Sequence, residues 1–170
     1  QEDLADQKAV KLCFNEHQFD RVIHLAAQAG VRYSIDEPRK YVNTNIIGTF
    51  NIIELAHKLN VKHLLIASSS SIYGSNKLKK CKETDKADNQ LSIYAATKKS
   101  SESIAYSYSS LWNLPITVLR FFTVYGPWGR PDMALFKFTK QIINQQKITV
   151  FNKGLMSRDF TYIDDITEYT

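Results

Sequence analysis

Residues 62–74 read KHLLIASSSSIYG, so a short apolar run leads directly into four serines and a glycine. An apolar run of this length, ended by small polar residues, is typical of a buried strand. Two further runs of the same kind cover residues 20–27 and 116–122, and stretches with helical apolar spacing separate the three runs. Strands that alternate with helices predict parallel pairing, with helices over both faces of the sheet. We therefore predict an α/β fold built on a doubly wound parallel sheet.

The same patterns predict the remaining elements. We expect helices over residues 4–17, after Pro38, from Tyr94 onward and around Phe138, with a further strand over residues 148–151. A last helix is expected to begin near residues 163–167. The apolar side chains predicted to face the core are Val42, Ile46, Phe50 and Ile53 in the second helix, Ile104, Tyr108 and Leu111 in the third, and Leu135, Phe136, Phe138 and Ile142 in the fourth.

Composition and charge argue against several kinds of protein. The 170 residues are 44% hydrophobic, which is enough to bury a core. Much of the net charge of +5 comes from the lysine-rich residues 77–82, which we interpret as a solvated loop and not a nucleic-acid interface. Cys13 and Cys81 have neither metal-ligand nor disulfide-framework spacing, and no apolar run approaches a membrane span. We expect a cytoplasmic protein without a metal, nucleic-acid or membrane partner.

Small and polar residues follow the three predicted strands, where the ligand of a parallel α/β sheet binds. Ala26 and Ala27 come after the first strand, the serines 68–71 after the second and Thr123 after the third. Small side chains allow a flat cofactor to lie against the backbone. His24 lies within a strand instead, and we expect it to be a hydrogen-bonded core histidine.

Tyr94 and Lys98 are four residues apart and therefore share one face of the third predicted helix. An ammonium favours the phenolate form of a nearby phenol, so this pair can remove and return a proton. A serine of the run 68–71 can hold the reacting oxygen. The tyrosine–lysine spacing alone is common, but together with the serine run it indicates acid/base chemistry at the end of the second strand.

Several motifs spread along the whole chain now bear on the family. They are Asp3-Leu4, HLAAQAGVRYS at 24–34, Asn45, ASSSSIYG at 67–74, Tyr94 with Lys98, FFTVYGPWGRPDM at 121–133 and RDFTYIDD at 158–165. Together they resemble the extended short-chain dehydrogenase/reductase family, specifically its nucleotide-sugar epimerases, and most closely those that act on UDP-glucuronate. The resemblance implies a Rossmann-like fold, NAD as cofactor, a UDP-sugar substrate and a homodimer. It also implies conversion of UDP-glucuronate to UDP-galacturonate through a transient 4-keto intermediate.

The resemblance also implies a role for each matching residue. Tyr94 would remove the proton of the sugar 4-hydroxyl, Lys98 would assist it electrostatically, and Ser69 would orient the hydroxyl, with Ser70 as the alternative to Ser69. Arg130 would bind the sugar carboxylate. The residues expected at NAD are Asp3, Leu4, Leu25, Ala26, Ala27, Asn45, Tyr94, Lys98 and Phe122. Those expected at the substrate are Ser69, Thr123, Arg130 and Arg158.

No glycine-rich turn with dinucleotide-binding spacing occurs among the six glycines. We expect that strand–turn–helix unit ahead of residue 1, and most of a substrate domain after residue 170, in a longer protein. Residues 1–130 would then be an incomplete NAD-binding domain and residues 131–170 the start of the substrate-binding region. The 170 residues alone are expected neither to hold NAD tightly nor to turn over substrate.

Other functions remain open at this point. Related 4,6-dehydratases carry an Asp-Glu pair where this chain has Ser70 and Ser71, and related UDP-glucuronate decarboxylases carry a glutamate in place of Ser71. Neither carboxylate is present here, which favours epimerisation. A non-catalytic relative that binds nucleotide sugars or RNA is a further alternative, although such a protein has no need of Ser69, Tyr94 and Lys98 together.

Overall fold

The computed structural model describes residues 2–74, 80–155 and 157–170. The chain forms two compact units, Gln1–Phe121 and Phe122–Thr170. The division predicted from sequence at residues 130 and 131 falls inside the second unit. As a division between cofactor and substrate binding, it stays a prediction.

The described residues contain helices and strands in an alternating order. The α-helices are α1 (Gln7–Glu16), α2 (Tyr33–Asp36), α3 (Pro38–Tyr41), α4 (Thr49–Lys58), α5 (Ile93–Trp112), α6 (Ala134–Ile143) and α7 (Ile163–Tyr169). The strands are β1 (Arg21–His24), β2 (His63–Ser69), β3 (Ile116–Phe121), β4 (Thr123–Tyr125) and β5 (Phe160–Tyr162). Three shorter turns are the π-helical turn Val42–Gly48 and the 3-10 turns Ser70–Tyr73 and Phe151–Gly154.

The first unit is built on a parallel sheet with strand order β1-β2-β3. In the middle of the sheet, Ile66 of β2 lies between His24 of β1 and Val118 of β3. The predicted α/β fold with a parallel sheet is therefore confirmed. The buried core is formed by Val10, Phe14, Ile52, Ile53, Leu55, Ala56, Val61, Leu64, Ile66, Ala105 and Leu114.

The long helix α5 has clear start and stop signals. The side chain of Ser92 accepts a hydrogen bond from the backbone N–H of Ala95 and so caps the first turn. Asn113 ends the helix in the left-handed conformation (φ +54°), which asparagine tolerates better than most residues. These signals fix where α5 begins, and therefore where Tyr94 and Lys98 lie relative to the sheet.

The helix predicted after Pro38 differs from the expectation. It is interrupted by the π-helical turn Val42–Gly48, which shifts the buried face. Val42 and Phe50 are consequently exposed, whereas Asn45 is fully buried. The predicted stripe is therefore wrong at Val42 and Phe50, whereas Ile53 is buried in the core as predicted and Ile46 is half-buried. Leu111 of α5 is also exposed, contrary to prediction.

The second unit differs most from the sequence-based picture. A parallel pair of three-residue strands, β4 and β5, aligns Thr123 with Phe160 and was not predicted. Residues 148–150 form no strand, and the 3-10 turn follows them. The side chains of α6 that were predicted to face the core do not do so. Leu135, Phe136 and Ile142 are exposed, Phe138 is half-buried, and no described residue of this helix is buried. The predicted helix near residue 163 is confirmed as α7.

Three further predictions concern the lysine-rich segment, membrane-spanning helices and metal sites. The lysine-rich residues 77–82 lie partly outside the described residues. Within the described ranges, no helix combines the length and apolar character needed to cross a membrane. In the same ranges, histidine, cysteine, aspartate and glutamate side chains form no group of three that is suited to a metal ion.

Candidate active site

The carboxyl end of β2 carries the first two serines of the run. Ser68 donates its hydroxyl to Oε1 of Glu102 at 2.6 Å. Ser69 is the last residue of β2 and caps the 3-10 turn, because its Oγ accepts a hydrogen bond from the backbone N–H of Ser71 at 3.2 Å. The hydroxyl hydrogen of Ser69 therefore remains able to donate to a ligand. The choice between Ser69 and Ser70 stays a prediction.

Gly74 closes this motif for a steric reason. It follows the 3-10 turn with φ +58°, a conformation that favours glycine. A Cβ added there would collide with the backbone carbonyl of Asn89. The glycine thus allows the segment that leads to α5 to approach the end of β2 closely.

Helix α5 brings Lys98 onto the same strand end. The Lys98 side chain is buried, with 5% exposure, and its Nζ donates to the carbonyl oxygen of Ala67 at 2.7 Å. Burial lowers the pKa of the Lys98 ammonium to about 8. An ammonium has three donors, so two N–H bonds remain for other partners. Lys98 is therefore tied to the strand residue two positions before Ser69.

Tyr94 lies one turn before Lys98 on α5 and is half-buried. Its ring packs edge-on against Tyr41, with 6.2 Å between the ring centroids. The Tyr41 hydroxyl in turn shares its single hydrogen between the carbonyl oxygens of Ala29 and Gly30, at 2.9 and 2.7 Å. The Tyr94 ring is thus linked through Tyr41 to the loop that follows β1.

Asn45 fixes the same loop from within the core. Its Oδ1 accepts from the backbone N–H of Gln28 at 2.8 Å, and its Nδ2 donates to the Gln28 carbonyl at 3.1 Å. The Asn45 Nδ2 also donates to Thr97 Oγ1 of α5 at 3.0 Å. The structure therefore uses this side chain to hold the loop to α5. A direct contact between Asn45 and NAD stays a prediction.

The loop after β1 carries Leu25, Ala26 and Ala27, which were predicted at NAD. Leu25 and Ala26 are exposed, Ala27 is half-buried, and Gly30 of the same loop adopts φ +105°. Exposed apolar side chains beside a fixed backbone suit a flat ring system. Their arrangement is compatible with the predicted cofactor contacts.

Asp3 and Leu4, which were predicted at NAD, lie on a segment that is held by the start of α4. Asn51 donates its Nδ2 to the carbonyl oxygen of Leu4 at 2.8 Å. A Cβ added to Gly48 would lie 3.0 Å from Cβ of Leu4, so the glycine permits close approach. Asp3 accepts from the backbone N–H of Ala5 at 2.9 Å. The two residues are thus ordered on the first unit, whereas their contact with NAD stays a prediction.

His24 is confirmed as a hydrogen-bonded core histidine. It is buried, and its Nε2 lies 2.9 Å from Thr49 Oγ1. Burial, with a contribution from the positive charge of Lys98, lowers the pKa of His24 to about 4. The imidazole is therefore neutral at physiological pH, which suits a structural role.

The predicted substrate residues of the second unit surround one cavity. Its volume is about 850 Å³, and Thr123, Arg130 and Arg158 line it together with Phe136 of α6. Phe122 is half-buried at the start of this unit. The structure thus brings together three residues that were predicted from two separate motifs, at 121–133 and 158–165. Two guanidinium groups at one cavity are suited to an anionic ligand.

Arg130 has a carboxylate partner inside the chain. Its Nε donates to Oδ1 of Asp132 at 3.0 Å, and its Nη2 donates to Oδ2. Both side chains are about half exposed. The hydrogen bonds from Arg130 hold the pKa of the Asp132 carboxyl below its ordinary value. This side-on pairing was not predicted, because a loop brings the two residues together.

Sequence reasoning also missed Glu102 and Arg120. Glu102 lies four residues after Lys98 on α5, and Arg120 is the charged residue of the otherwise largely apolar strand β3. The Arg120 Nε and Nη2 donate to the two Glu102 carboxylate oxygens at 3.1 and 3.0 Å. The one signal in the sequence was Arg120, a charged residue in a run that was predicted to be a buried strand.

A scan against protein-family models matches residues 1–170 to the NAD dependent epimerase/dehydratase family. The chain belongs to this family. The match supports the resemblance drawn from the motifs.

Two curated relatives are similar to this chain over nearly its whole length. Protein CapI of Staphylococcus aureus is 60% identical over 155 residues, which cover 91% of this chain and 46% of that protein. A probable UDP-glucuronate 4-epimerase of Rhizobium meliloti is 53% identical over 165 residues, which cover 97% of this chain and 48% of that protein. The chain thus spans about half the length of these curated relatives.

Solved structures of the family superpose closely on this chain. UDP-glucose 4-epimerase of Thermotoga maritima, with UDP-glucose, gives a TM-score of 0.92 at 31% identity, covering 98% of this chain and 55% of that one. UDP-glucuronic acid 4-epimerase of Bacillus cereus, in complex with UDP-glucuronic acid and NAD, gives a TM-score of 0.88 at 38% identity, covering 97% of this chain and 51% of that one. The Rossmann-like α/β fold of this epimerase/dehydratase member is thereby established.

Proposed function

We propose that the whole protein carrying this chain is an NAD-dependent UDP-sugar 4-epimerase that interconverts UDP-glucuronate and UDP-galacturonate. The observation that carries the proposal is the 2.7 Å hydrogen bond from Lys98 to the Ala67 carbonyl. It ties the tyrosine–lysine face of α5 to the strand end that carries Ser69. The relatives named as UDP-glucuronate 4-epimerases support the choice of reaction and substrate.

The residues of the first unit fit the cofactor. Leu25 and Ala26 give an exposed apolar surface on a loop whose backbone is held by Asn45 and Tyr41. Leu4 is held to α4 near the start of the chain. When bound, NAD supplies the acceptor and the donor for hydride at the sugar C4. The chain's own residues bind it, position the sugar and move the hydroxyl proton.

The proton of the sugar 4-hydroxyl goes to the phenolic oxygen of Tyr94 as C4 is oxidised. Before the transfer Tyr94 is a phenolate, which the Lys98 ammonium stabilises because opposite charges attract strongly in a buried site. Ser69 donates its hydroxyl hydrogen to the sugar oxygen, since its own oxygen already accepts from Ser71. The 4-keto sugar then turns within the site, and Tyr94 returns the proton when C4 is reduced from the other face.

The charge at the cavity of the second unit supports a substrate with a carboxylate. Arg130 holds the Asp132 carboxylate through two parallel hydrogen bonds, which is the geometry that guanidinium groups favour. An exposed ion pair of this kind contributes at most about 1 kcal/mol. A sugar carboxylate can therefore compete with Asp132 for Arg130. We assign Arg130 to the sugar carboxylate, and Thr123 and Arg158 to the rest of the UDP-sugar.

The alternative reactions are less well supported. Dehydration or decarboxylation by the related enzymes uses a carboxylate just after the serine, and this chain has Ser70 and Ser71 there. Glu102 does not replace it, because its carboxylate is bonded to Ser68 and Arg120. A 4-keto sugar formed at this site therefore has no such group to divert it from epimerisation.

We also propose that the protein is a homodimer through a helix pair that includes α5. Aromatic side chains of α4 and α5 form a partly exposed cluster on the first unit, with Tyr108 and Trp112 at 4.5 Å between ring centroids. Exposed apolar surface of this kind is characteristic of protein interfaces. Sedimentation velocity tests the proposal, since Trp112→Glu is expected to produce monomers and an unchanged sedimentation coefficient would contradict it.

The function is tested by incubating the whole protein with UDP-glucuronate and NAD and following the sugars by NMR. We expect UDP-galacturonate to accumulate to an equilibrium mixture. A UDP-pentose would indicate decarboxylation, and a 4-keto-6-deoxy sugar formed in a parallel incubation with UDP-glucose would indicate dehydration. Tight binding of UDP-glucuronate without any product would indicate a binding protein.

A further inference from the structure

Glu102 is a buried carboxylate with no part in the proposed proton transfer. It is 9% exposed and accepts hydrogen bonds from Ser68, Arg120 and, at the rim, Lys99. Burial alone would raise the pKa of the Glu102 carboxyl, but the hydrogen bonds from Arg120 and Ser68 outweigh it and keep the pKa below its ordinary value. Glu102 is therefore a buried anion at neutral pH.

Arg120 extends the contact toward the segment that precedes α5. Its Nη1 donates to the Tyr73 hydroxyl at 3.1 Å and to the Glu83 carbonyl at 2.9 Å. The Tyr73 hydroxyl donates to the Lys82 carbonyl at 3.0 Å. The Arg120 guanidinium thus bonds Glu102 of α5 on one side and Tyr73 and Glu83 on the other. It connects α5 to the segment that precedes it.

Glu102 and Lys98 lie close together on α5, and both contact the end of β2. Four residues separate them, so they lie on one face of α5 in successive turns. Lys98 holds the carbonyl of Ala67, and Glu102 holds the hydroxyl of Ser68. Side chains from two successive turns of the helix therefore form hydrogen bonds with two successive residues of β2, immediately before Ser69.

The contact of Ser68 also acts on the next residue of the strand. Ser69 follows directly after Ser68, so the hydrogen bond between Ser68 and Glu102 holds the backbone that carries Ser69. A change that frees Ser68 loosens the end of β2 on which both Ser69 and the Lys98 acceptor depend.

We propose that Glu102, with Arg120 as its counter-ion, is a positioning residue that holds Ser69 and Lys98 in register for the reaction at the sugar C4. The proposal rests on the proposed function. It predicts a defect in the chemical step with little change in binding, because neither side chain lies in the proposed contacts with NAD or the UDP-sugar.

The test compares Glu102→Gln and Ser68→Ala with the wild-type whole protein. Glu102→Gln preserves the size of the side chain but replaces one carboxylate oxygen with an amide NH2 group. That group is a donor and faces the Arg120 guanidinium, which is also a donor. Ser68→Ala removes only the hydroxyl that grips the strand end and leaves the Glu102–Arg120 pair intact, so it covers the case in which Glu102→Gln fails to fold. The matched control is Lys99→Met, which removes a contact of 3.4 Å to the same carboxylate at its exposed rim.

The decisive measurement is the kinetic isotope effect on kcat with UDP-glucuronate deuterated at C4. A slower chemical step increases the observed isotope effect, whereas a loss of folded protein lowers activity and leaves the effect unchanged. We expect kcat to fall about 10- to 100-fold in Glu102→Gln and about 3- to 10-fold in Ser68→Ala, with a larger isotope effect and an unchanged KM. Lys99→Met should match the wild type.

Two outcomes distinguish this proposal from the proposed function. Wild-type isotope effects in both variants, with any loss of activity matched by a loss of folded protein, would overturn the positioning role alone. A wild-type protein that leaves UDP-glucuronate unchanged would overturn the proposed function, and the positioning role with it.

Discussion

Replacing Lys98 by methionine tests the electrostatics of the site most quantitatively. The Lys98 side chain is 5% exposed, and burial lowers the pKa of its ammonium from an ordinary 10.5 to about 8. Each unit of pKa difference corresponds to about 1.4 kcal/mol. The folded protein at pH 7 therefore bears a cost of about 3 kcal/mol for keeping this ammonium charged, relative to the unfolded chain.

The pH dependence follows with a definite sign. Between pH 8 and 10.5 the unfolded chain holds a proton on Lys98 that the folded protein has lost. Stability from this group therefore rises with pH across that window, and the cost is fully present at pH 7. Lys98→Met removes the group. The stability advantage of the variant over the wild type should shrink by about 2 kcal/mol between pH 7 and about pH 9.5.

Urea unfolding of both proteins without added NAD, followed by circular dichroism at the two pH values, measures this change. Lys99→Met is the control for removing a lysine charge from the same helix, since the Lys99 side chain is 30% exposed and that of Lys98 only 5%. A stability difference between Lys98→Met and the wild type that does not change with pH would refute the reasoning. It would mean that Lys98 is not a buried ammonium.

Three more predictions concern single residues. Tyr94→Phe should lower kcat by about 10² to 10⁴-fold with substrate binding nearly unchanged, and kinetics within a few-fold of wild type would assign the proton transfer elsewhere. Arg130→Lys keeps the positive charge but loses the two parallel hydrogen bonds that a guanidinium group can donate to a carboxylate. The kcat/KM should therefore fall more for UDP-glucuronate than for UDP-glucose, and equal losses would show that Arg130 does not select the substrate. The pKa of His24 is about 4 in the folded protein and 6.5 ordinarily, so stability should drop by about 3 kcal/mol as pH falls from 6.5 to 4. His24→Asn should flatten that drop in denaturant titrations, and an equally steep drop in the variant would place its origin in other groups.

Much of the first unit follows from local sequence, because each strand and helix carries its own pattern. The apolar run before the serines predicts β2, and the four-residue spacing places Tyr94 and Lys98 on one helical face. The π-helical turn Val42–Gly48 has no such signal, since its extra residue per turn becomes visible only when Asn45 is seen to bond the loop after β1.

Long-range and loop contacts account for most of what the sequence did not predict. Strands β4 and β5 have three residues each, too few for a periodic pattern, and they pair across more than thirty residues of chain. The pairing of Arg130 with Asp132 depends on a loop conformation. Glu102 reads as an ordinary polar residue of a helix, and only its contact with Arg120 on β3 marks it as a buried charge.

The central claim is that the protein inverts C4 by removing hydride and returning it to the same carbon. UDP-glucuronate deuterated at C4, incubated with the whole protein and NAD and examined by NMR and mass spectrometry, tests it directly. The account predicts UDP-galacturonate that retains deuterium at C4 and all six carbons of the sugar. Loss of the label to solvent, or a product shortened by one carbon, would contradict it.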